Sequence, residues 1–442
     1  MADMHALVRL MREVEDQLAS CMRCGMCQSV CPLYAATGRE ADVARGKLAL
    51  LDGLLREMFD RPDSVRERLD RCLLCGSCQA GCPSGVRVMD IFIKARAILA
   101  GFSGLSFSQK MIFKGMLAHP ALFDQLTFWS SRFQKLLTRP INEMLGTSCA
   151  RVMSPLIGDR HFKPLADRPF HHEVPFLDTP AGRSGRKVAF FVGCLLDKIF
   201  PKVAGDVVTV LEKAGVGQLI PQGQACCGIP ALSAGDTQTF QKLLRHNLER
   251  FPVDDFDYLV TACATCTSTI RKLWPLMAEK EDTSTRRRVA RIAEKTLDIS
   301  QFLVDEHLLT DVPSVGRASK PTEVTYHDPC HLKKSLGVSA QPRTVLNAIE
   351  GIRFVEMEGA DQCCGMGGSF NIKYYEISRE IGERKRKAIQ ASRCSVVATS
   401  CPACMMQISD VLSRGGDPIR VRHVVELLAE RWKDNDNYPS AH

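Results

Sequence analysis

The stretch KVAFFVGC at residues 187–194 reads as an extended apolar run ending in a cysteine, and EVTYHDPC at 323–330 repeats it. Each run is followed by a helical stretch and a short strand, then by Cys226-Cys227-Gly228 or Cys363-Cys364-Gly365. A further helix leads to YLVTACATC (258–266) in one case and VVATSCPAC (396–404) in the other, again a strand running into a cysteine pair. Equivalent cysteines lie 136 to 138 positions apart, so the halves keep register and a duplicated unit is the simplest explanation. Strands alternating with helices predict an open α/β sheet in each half. In such sheets function collects at the carboxyl ends of strands, where these cysteines fall.

Upstream lie Cys21-x2-Cys24-x2-Cys27-x3-Cys31-Pro32 and Cys72-x2-Cys75-x2-Cys78-x3-Cys82-Pro83. Both fit the cysteine run of bacterial ferredoxins, which holds [4Fe–4S] cubanes. Three thiolates two residues apart on a tight loop cover three irons of one cube. The fourth, followed by proline, starts a new helix and reaches the other cube. Cluster one is expected to take Cys21, Cys24, Cys27 and Cys82, and cluster two Cys72, Cys75, Cys78 and Cys31. Zinc sites use two cysteine pairs across a long spacer instead. Between the motifs, Val43, Leu48, Leu51, Leu54, Leu55 and Met58 predict a helix packed on the cluster layer, with Val65 and Leu69 in a second. This segment resembles the helical ferredoxin domain of succinate dehydrogenase iron–sulfur subunits. Two cubes held close together make an electron wire; clusters that only hold the fold together are the alternative.

Each C-terminal half carries five cysteines in one pattern. The first set is Cys194, Cys226, Cys227, Cys263 and Cys266; the second is Cys330, Cys363, Cys364, Cys401 and Cys404. Adjacent cysteines are poor ligands for one tetrahedral ion, but they can bind different irons of an opened cluster. Glycines follow both pairs, where they let backbone approach a cluster closely, and Pro329 and Pro402 stiffen the loops beside ligands. At these residues the sequence resembles the cysteine-rich CCG-domain proteins. These include heterodisulfide reductase catalytic subunits and the iron–sulfur subunits of glycolate oxidase, D-lactate dehydrogenases and anaerobic glycerol-3-phosphate dehydrogenase. The resemblance implies that all ten positions bind two non-cubane [4Fe–4S] clusters. Glycolate oxidase subunits often lack some of these cysteines and this chain lacks none, which keeps a reductase reading open.

Composition bounds the rest. With 442 residues, 45% apolar and 24% charged, the chain has room for two to four domains with real cores. No run approaches the ~18 consecutive apolar residues of a membrane span. The N-terminus MADMHALVRLMREVEDQL has the pattern of an amphipathic helix with acidic residues, not of a secretion signal. In a reducing compartment its 20 cysteines are expected as metal ligands or reactive thiols rather than disulfides. The formal charge of +8 assumes neutral thiols. A [4Fe–4S]2+ cluster on four thiolates carries −2, so two cubanes would cancel half of it. The basic runs at 286–288 and 384–387 read as solvated helix faces, and none is interleaved with aromatics, so nucleic acid is not an expected partner.

The expected fold class is multidomain α+β. A helical ferredoxin domain with two 4Fe–4S sites (1–100) precedes a helical connector and linker (101–186) and two repeated α/β CCG domains (187–315 and 316–442). His327, Asp328 and His331 surround Cys330. A histidine there reads as a donor to cluster sulfur or a proton source, or else as a strand-end residue bonded to backbone. Cys149 and Cys394 match neither pattern and read as buried apolar thiols. Phe102, Phe107, Phe113, Phe123, Phe128, Trp129 and Phe133 read either as core or as an amphipathic face for a partner or a membrane surface. No glycine fingerprint for a dinucleotide and no Walker loop is present, so no flavin of its own is expected. A chain with clusters but no hydride acceptor cannot oxidise an alcohol carbon alone. By resemblance, it is an electron-transfer subunit working with an FAD-containing dehydrogenase subunit and a quinone or other acceptor, in the cytoplasm or at the inner membrane face. The alternative is a heterodisulfide reductase-like catalytic subunit.

Overall fold

The computed structural model describes residues 11–58, 62–151, 158–309 and 321–436. The first ten residues of the expected N-terminal helix, and the expected boundary at 315, lie outside them. Compactness divides the chain differently from the motif spacing. One unit gathers residues up to His119 with Gly228–Lys242 and Cys363–Glu383; the other gathers Pro120–Cys227, Leu243–Gln362 and Arg384 onward.

The first unit is helical. Ala44–Leu55, Pro62–Asp70 and Val88–Ser103 pack together through Leu48, Leu51, Leu54, Val65, Leu69, Ile91, Phe92 and Leu99, all buried. The predicted stripe holds as far as Leu54, whereas Met58 is exposed. The reason is local. The helix closes at Leu55, the Met58 N–H bonds the Gly53 carbonyl, and Glu57 takes a left-handed φ of 55°, which turns the chain away from the stripe.

The second unit holds eleven strands among the described residues. A hairpin joins β1 (Thr138–Asn142) to β2 (Thr147–Ala150). The first repeat contains β3 (Leu177–Asp178), β4 (Lys187–Phe190), β5 (Gly217–Ile220), β6 (Tyr258–Thr261) and β7 (Thr296–Asp298), in spatial order β3-β5-β4-β6-β7. The second contains β8 (Thr322–Tyr326), β9 (Ile352–Phe354), β10 (Val396–Thr399) and β11 (Arg420–His423), in order β9-β8-β10-β11. Apart from β3, which runs antiparallel on the β5 edge, every neighbour in both sheets is parallel. The sequence repeat is thus one topology used twice. In this strand order the topological switch falls between β4 and β6, and between β8 and β10, where an open α/β sheet leaves a crevice at its carboxyl edge.

Segment 101–186 differs from the expectation of helices and a linker, since it supplies the β1–β2 hairpin and strand β3. Leu177 and Asp178 pair with Ile220 and Leu219, capping an edge that would otherwise expose unpaired backbone groups. No helix among the described residues is long and apolar enough to cross a membrane.

Candidate metal centres

Both ferredoxin-type loops are built alike. Arg23 and Leu74, each just before the second cysteine of its motif, take left-handed φ angles of 55° and 53°. Gly25 and Gly76, just after it, follow at 87° and 75°. These closely spaced left-handed residues make the tight loop that points three thiols inward. Cys31 caps the helix Pro32–Thr37 and its sulfur accepts the Tyr34 N–H at 3.4 Å. Cys82 departs from expectation: a turn follows Pro83, and the next helix starts only at Val88.

Cys21, Cys24, Cys27, Cys78 and Cys82 all line one cavity, together with Arg45. Cys31 interacts electrostatically with Cys72 and Cys75, and Cys78 with all three and with Cys27 of the other set. The eight cysteines thus lie close together, and Cys78 meets members of both expected sets. Burial pushes the Cys31 thiol up to about 11 and holds Cys78 well above its ordinary range.

The set of Cys72, Cys75, Cys78 and Cys31 is surrounded by charges that no motif signalled. Lys47 and Arg96 are 1% and 4% exposed. Lys47 donates to the Asp42 carbonyl and interacts with Cys72 and Cys31. Arg96 donates to the carbonyls of Cys72 and Ser233, each at 2.8 Å, and to that of Leu69. The Asp42 carboxylate pairs with Arg68 at 3.6 Å. Lys47 and Arg96 at this set, with Arg68 paired to the one buried carboxylate, leave an excess of positive charge suited to a cluster that carries −2 on four thiolates.

In the second unit the first five-cysteine set converges at the carboxyl edge of its sheet. The Cys194 and Cys226 sulfurs lie 3.7 Å apart, and Cys266 interacts with both Cys227 and Cys263. Hydrogen bonding with Cys194 and Cys227, added to burial, holds the Cys226 thiol well above its ordinary range. Cys263 and Cys401 each cap the helix that follows, with the same extended geometry. These two turns meet. The Ala264 N–H donates to the Ser400 carbonyl at 3.0 Å, Thr265 Oγ1 is 3.6 Å from the Cys401 sulfur, and Cys263 interacts with Cys401. Hydrogen bonds from Cys263 and Cys404 hold the Cys401 thiol well below its ordinary range. The second five-cysteine set is divided, with Cys330, Cys401 and Cys404 in this unit and Cys363 and Cys364 in the other.

Fit to iron–sulfur chemistry follows from the donors. All twenty cysteines are free thiols, and eighteen occur in the four motif sets, many of them buried. The thiols held high, Cys31, Cys78, Cys226, Cys263 and Cys266, release their protons only as a metal binds, while Cys401 is already held low by its sulfur neighbours. Cys149 and Cys394 are buried outside these sets, as expected.

Sequence reasoning missed the residues that hold the loops. Asn247, fully buried, accepts the Ala225 N–H at 2.9 Å and donates to the Cys226 carbonyl at 3.1 Å. Gln224 accepts from Val192 and donates to Phe190, each at 3.0 Å, and Trp274 donates to the Cys227 carbonyl at 3.0 Å. In the second half, Lys385 is buried and donates to the Gly359 and Ala360 carbonyls. The 384–387 run is thus not a wholly solvated face. Only a polar residue interrupting an apolar helical stripe could have signalled Asn247. Asp298, at the end of β7, caps the helix Ile299–Asp305, and burial pushes its carboxyl up to about 7.

Other expectations resolve differently. Gly228 and Gly365 have φ angles of 94° and 95°, and added Cβ atoms would lie 2.6 Å from the Phe240 ring and the Ser378 carbonyl, respectively. Both form left-handed turns packed against a helix, where only glycine fits without strain. Asp328 is held in an ion pair, by Arg343 through two bonds and by Lys333. His331 bonds Thr265 at 3.1 Å. The aromatic segment is not uniform core: Phe113 is buried, while Leu122, Leu126, Trp129, Phe133 and Leu136 form an exposed stripe along the helix Pro120–Leu137. Asp124, His171 and Asp197 also converge, but Lys198 sits among them, 2.6 Å from Asp124 and 3.2 Å from His171.

Two ferredoxin-type loops followed by two copies of one cysteine-bearing α/β topology define a class of iron–sulfur proteins. Residues 17–86 match the 4Fe-4S dicluster domain, and residues 188–271 and 324–409 each match the cysteine-rich domain named CCG. A relative from Bacillus subtilis, the probable glycolate oxidase iron-sulfur subunit, is 30% identical over 431 residues covering 94% of both chains. The chain belongs to this family of CCG-domain iron–sulfur proteins. A subunit of the fumarate reductase (CoM/CoB) of Methanothermobacter marburgensis is 31% identical over 300 residues, covering 67% of this chain and 57% of that one. Lactate utilization protein A of an Exiguobacterium strain is 34% identical over 246 residues, 56% of this chain and 98% of its own length.

Proposed function

We propose that this chain is the electron-transferring iron–sulfur subunit of a flavin-dependent 2-hydroxy-acid dehydrogenase, with glycolate or D-lactate as the substrate class. The carrying observation is the match along 94% of both chains to the probable glycolate oxidase iron-sulfur subunit. The name of the lactate utilization relatives supports the same substrate class.

Cys21, Cys24, Cys27 and Cys82 would hold one [4Fe–4S] cubane, and Cys72, Cys75, Cys78 and Cys31 the other. Cys194, Cys226, Cys227, Cys263 and Cys266 would hold one non-cubane cluster, and Cys330, Cys363, Cys364, Cys401 and Cys404 a second. When bound, such groups supply one-electron transfer over a wide range of potentials. The chain's own contribution is to hold the ligands still and compensate their charge. Lys47 and Arg96 place buried positive charge beside Cys31 and Cys72, and Asn247, Gln224 and Trp274 fix the loop around Cys226–Cys227. The contact between Thr265 and Cys401, at 3.6 Å, supports electron transfer between the two CCG sites in this reading. The module limits 1–100, 101–186, 187–315 and 316–442 are part of the same proposal.

Oxidation of the alcohol carbon belongs, in this reading, to a separate FAD-containing subunit, because the sequence carries no dinucleotide fingerprint. Electrons leave toward a quinone or another carrier. The exposed stripe from Leu122 to Leu136 supports attachment to that subunit or to a membrane surface. A second reading, a catalytic subunit that reduces a disulfide, is favoured by the complete set of ten CCG cysteines and by the fumarate reductase (CoM/CoB) relative.

Cys78→Ser tests the first reading. It is expected to stop transfer to the physiological acceptor in the complex, while the flavoprotein still reduces a small dye with glycolate or D-lactate. Retained transfer to the physiological acceptor would refute it. For the second reading, Cys364→Ser should abolish heterodisulfide reduction, and unaltered turnover would remove it.

A further inference from the structure

The two halves differ at one position that their shared backbone makes comparable. The Phe191 N–H bonds the Val260 carbonyl at 2.9 Å in the first half, and the His327 N–H bonds the Ala398 carbonyl at 2.9 Å in the second. Phe191 fills an aromatic slot, its ring centroid 5.7 Å from that of Phe251 and 6.4 Å from that of Trp274. His327 is equally enclosed, at 0% exposed, yet neither of its ring nitrogens has a hydrogen-bond partner. Burying a polar group without a partner is unfavourable. Its main chain already bonds Ala398, so a strand-end histidine bonded to backbone accounts for the N–H and not for the ring. The nearby chemistry is sulfur: a ring nitrogen of His327 and the Cys404 sulfur lie within 4.8 Å of each other.

We propose that the His327 ring donates an N–H···S hydrogen bond to a sulfur of the cluster held by the second cysteine set, at or beside Cys404, and thereby raises that cluster's reduction potential above its first-half counterpart. The proposal rests on the cluster assignment made above. A hydrogen bond to a cluster sulfur stabilises the more negative, reduced state, which is why such bonds set potentials. A neutral imidazole supplies the N–H, so no protonation is needed. Phe191 supplies none at the matching place, and the duplicated sites become electrically unequal.

His327→Phe installs the first half's own residue, and His327→Asn keeps a side-chain N–H donor. The intact complex is titrated anaerobically, with iron counted and pulsed electron paramagnetic resonance recorded for nitrogen coupling. In the unsubstituted protein, one non-cubane cluster should show a weak nitrogen coupling typical of a hydrogen bond. His327→Phe should abolish it and lower that cluster's reduction equilibrium at least tenfold, 59 mV for one electron, with iron content and the other potentials kept. His327→Asn should recover most of the potential. An unchanged potential in His327→Phe, or strong coupling from nitrogen bound directly to iron, overturns the proposal while leaving the cluster assignment standing. Absence of any second-half cluster in the unsubstituted protein overturns both. If His327→Phe fails to retain iron, the His327→Asn variant decides: a potential well below the unsubstituted value would refute the hydrogen bond.

Discussion

Lys47 offers a direct test of how the protein compensates cluster charge. Its ammonium is 1% exposed and is anchored to the Asp42 carbonyl. Burial lowers the pKa of its amine, an effect that the charges of Cys72, Cys31 and Asp42 oppose. Lys47→Met keeps the length and volume of the side chain and deletes the charge. A unit charge ~7 Å from the cluster in a medium of effective dielectric ~20 is worth ~2.4 kcal/mol. Since 1.4 kcal/mol corresponds to 59 mV for one electron, the cubane held by Cys72, Cys75, Cys78 and Cys31 should become harder to reduce by roughly 100 mV. Neighbouring charges set the size of the shift. Arg68 and Arg96 remain to soften the loss, and the Asp42 carboxylate, relieved of one cation, deepens it. The assay is an anaerobic redox titration followed by electron paramagnetic resonance, with Lys47→Arg as the charge-retaining control. The other set has Arg45 rather than Lys47 beside it and should shift little. Equal shifts of both cubanes, or no shift in either, would refute the reasoning.

Three further outcomes are expected. Asn247→Ala removes the partners of the Ala225 N–H and Cys226 carbonyl and should cost about 3 kcal/mol in urea unfolding, with loss of iron from the first CCG set; a change under about 1 kcal/mol would remove Asn247 from the loop's support. Gly365→Ala should destabilise more than Gly228→Ala, by about 3 kcal/mol or more, because its Cβ meets the Ser378 backbone carbonyl whereas the other meets the Phe240 ring; the reverse order in thermal melts would contradict the packing argument. In the metal-free protein, Cys31 binds its proton more tightly folded than unfolded, with its pKa raised from 9.0 to about 11 by burial. That stability is present below the unfolded pKa and is lost as pH rises through the folded one. The metal-free protein should therefore melt at steadily lower temperature from about pH 8 to about pH 11, and a flat profile would count against burial of this thiol.

The cysteine sets are legible in the sequence because iron–sulfur ligation imposes local spacing. The matching left-handed residues Arg23 and Leu74 show the physical form of that constraint: a loop this tight admits few arrangements of thiols. The α/β character of each half is legible from apolar runs of strand length, and the repeat from matching intervals. The helix stripe follows the apolar spacing up to Leu54 and departs from it at Met58, since the same apolar residue serves a helix interior or a turn beyond its end. Strand β3 and the β1–β2 hairpin leave no such trace. Both are short, and β3 exists by pairing with β5, a partner roughly forty residues away that its own two residues do not encode.

By itself, the sequence determined the cysteine motifs, the duplication and the absence of a dinucleotide fingerprint, because each of these depends on residues close along the chain. Tertiary structure alone decided what surrounds the ligands. Lys47 and Arg96 became buried cations, Asn247 became the clamp on Cys226, and Lys385 left the solvated face its charged neighbours suggested. It also separated three residues that stood together in YHDPCH, giving Asp328 to Arg343, His331 to Thr265, and leaving the His327 ring without a partner. A side chain's charge or hydrogen bond acquires its energetic meaning from burial and from the partner it meets, and both are set by segments distant in sequence.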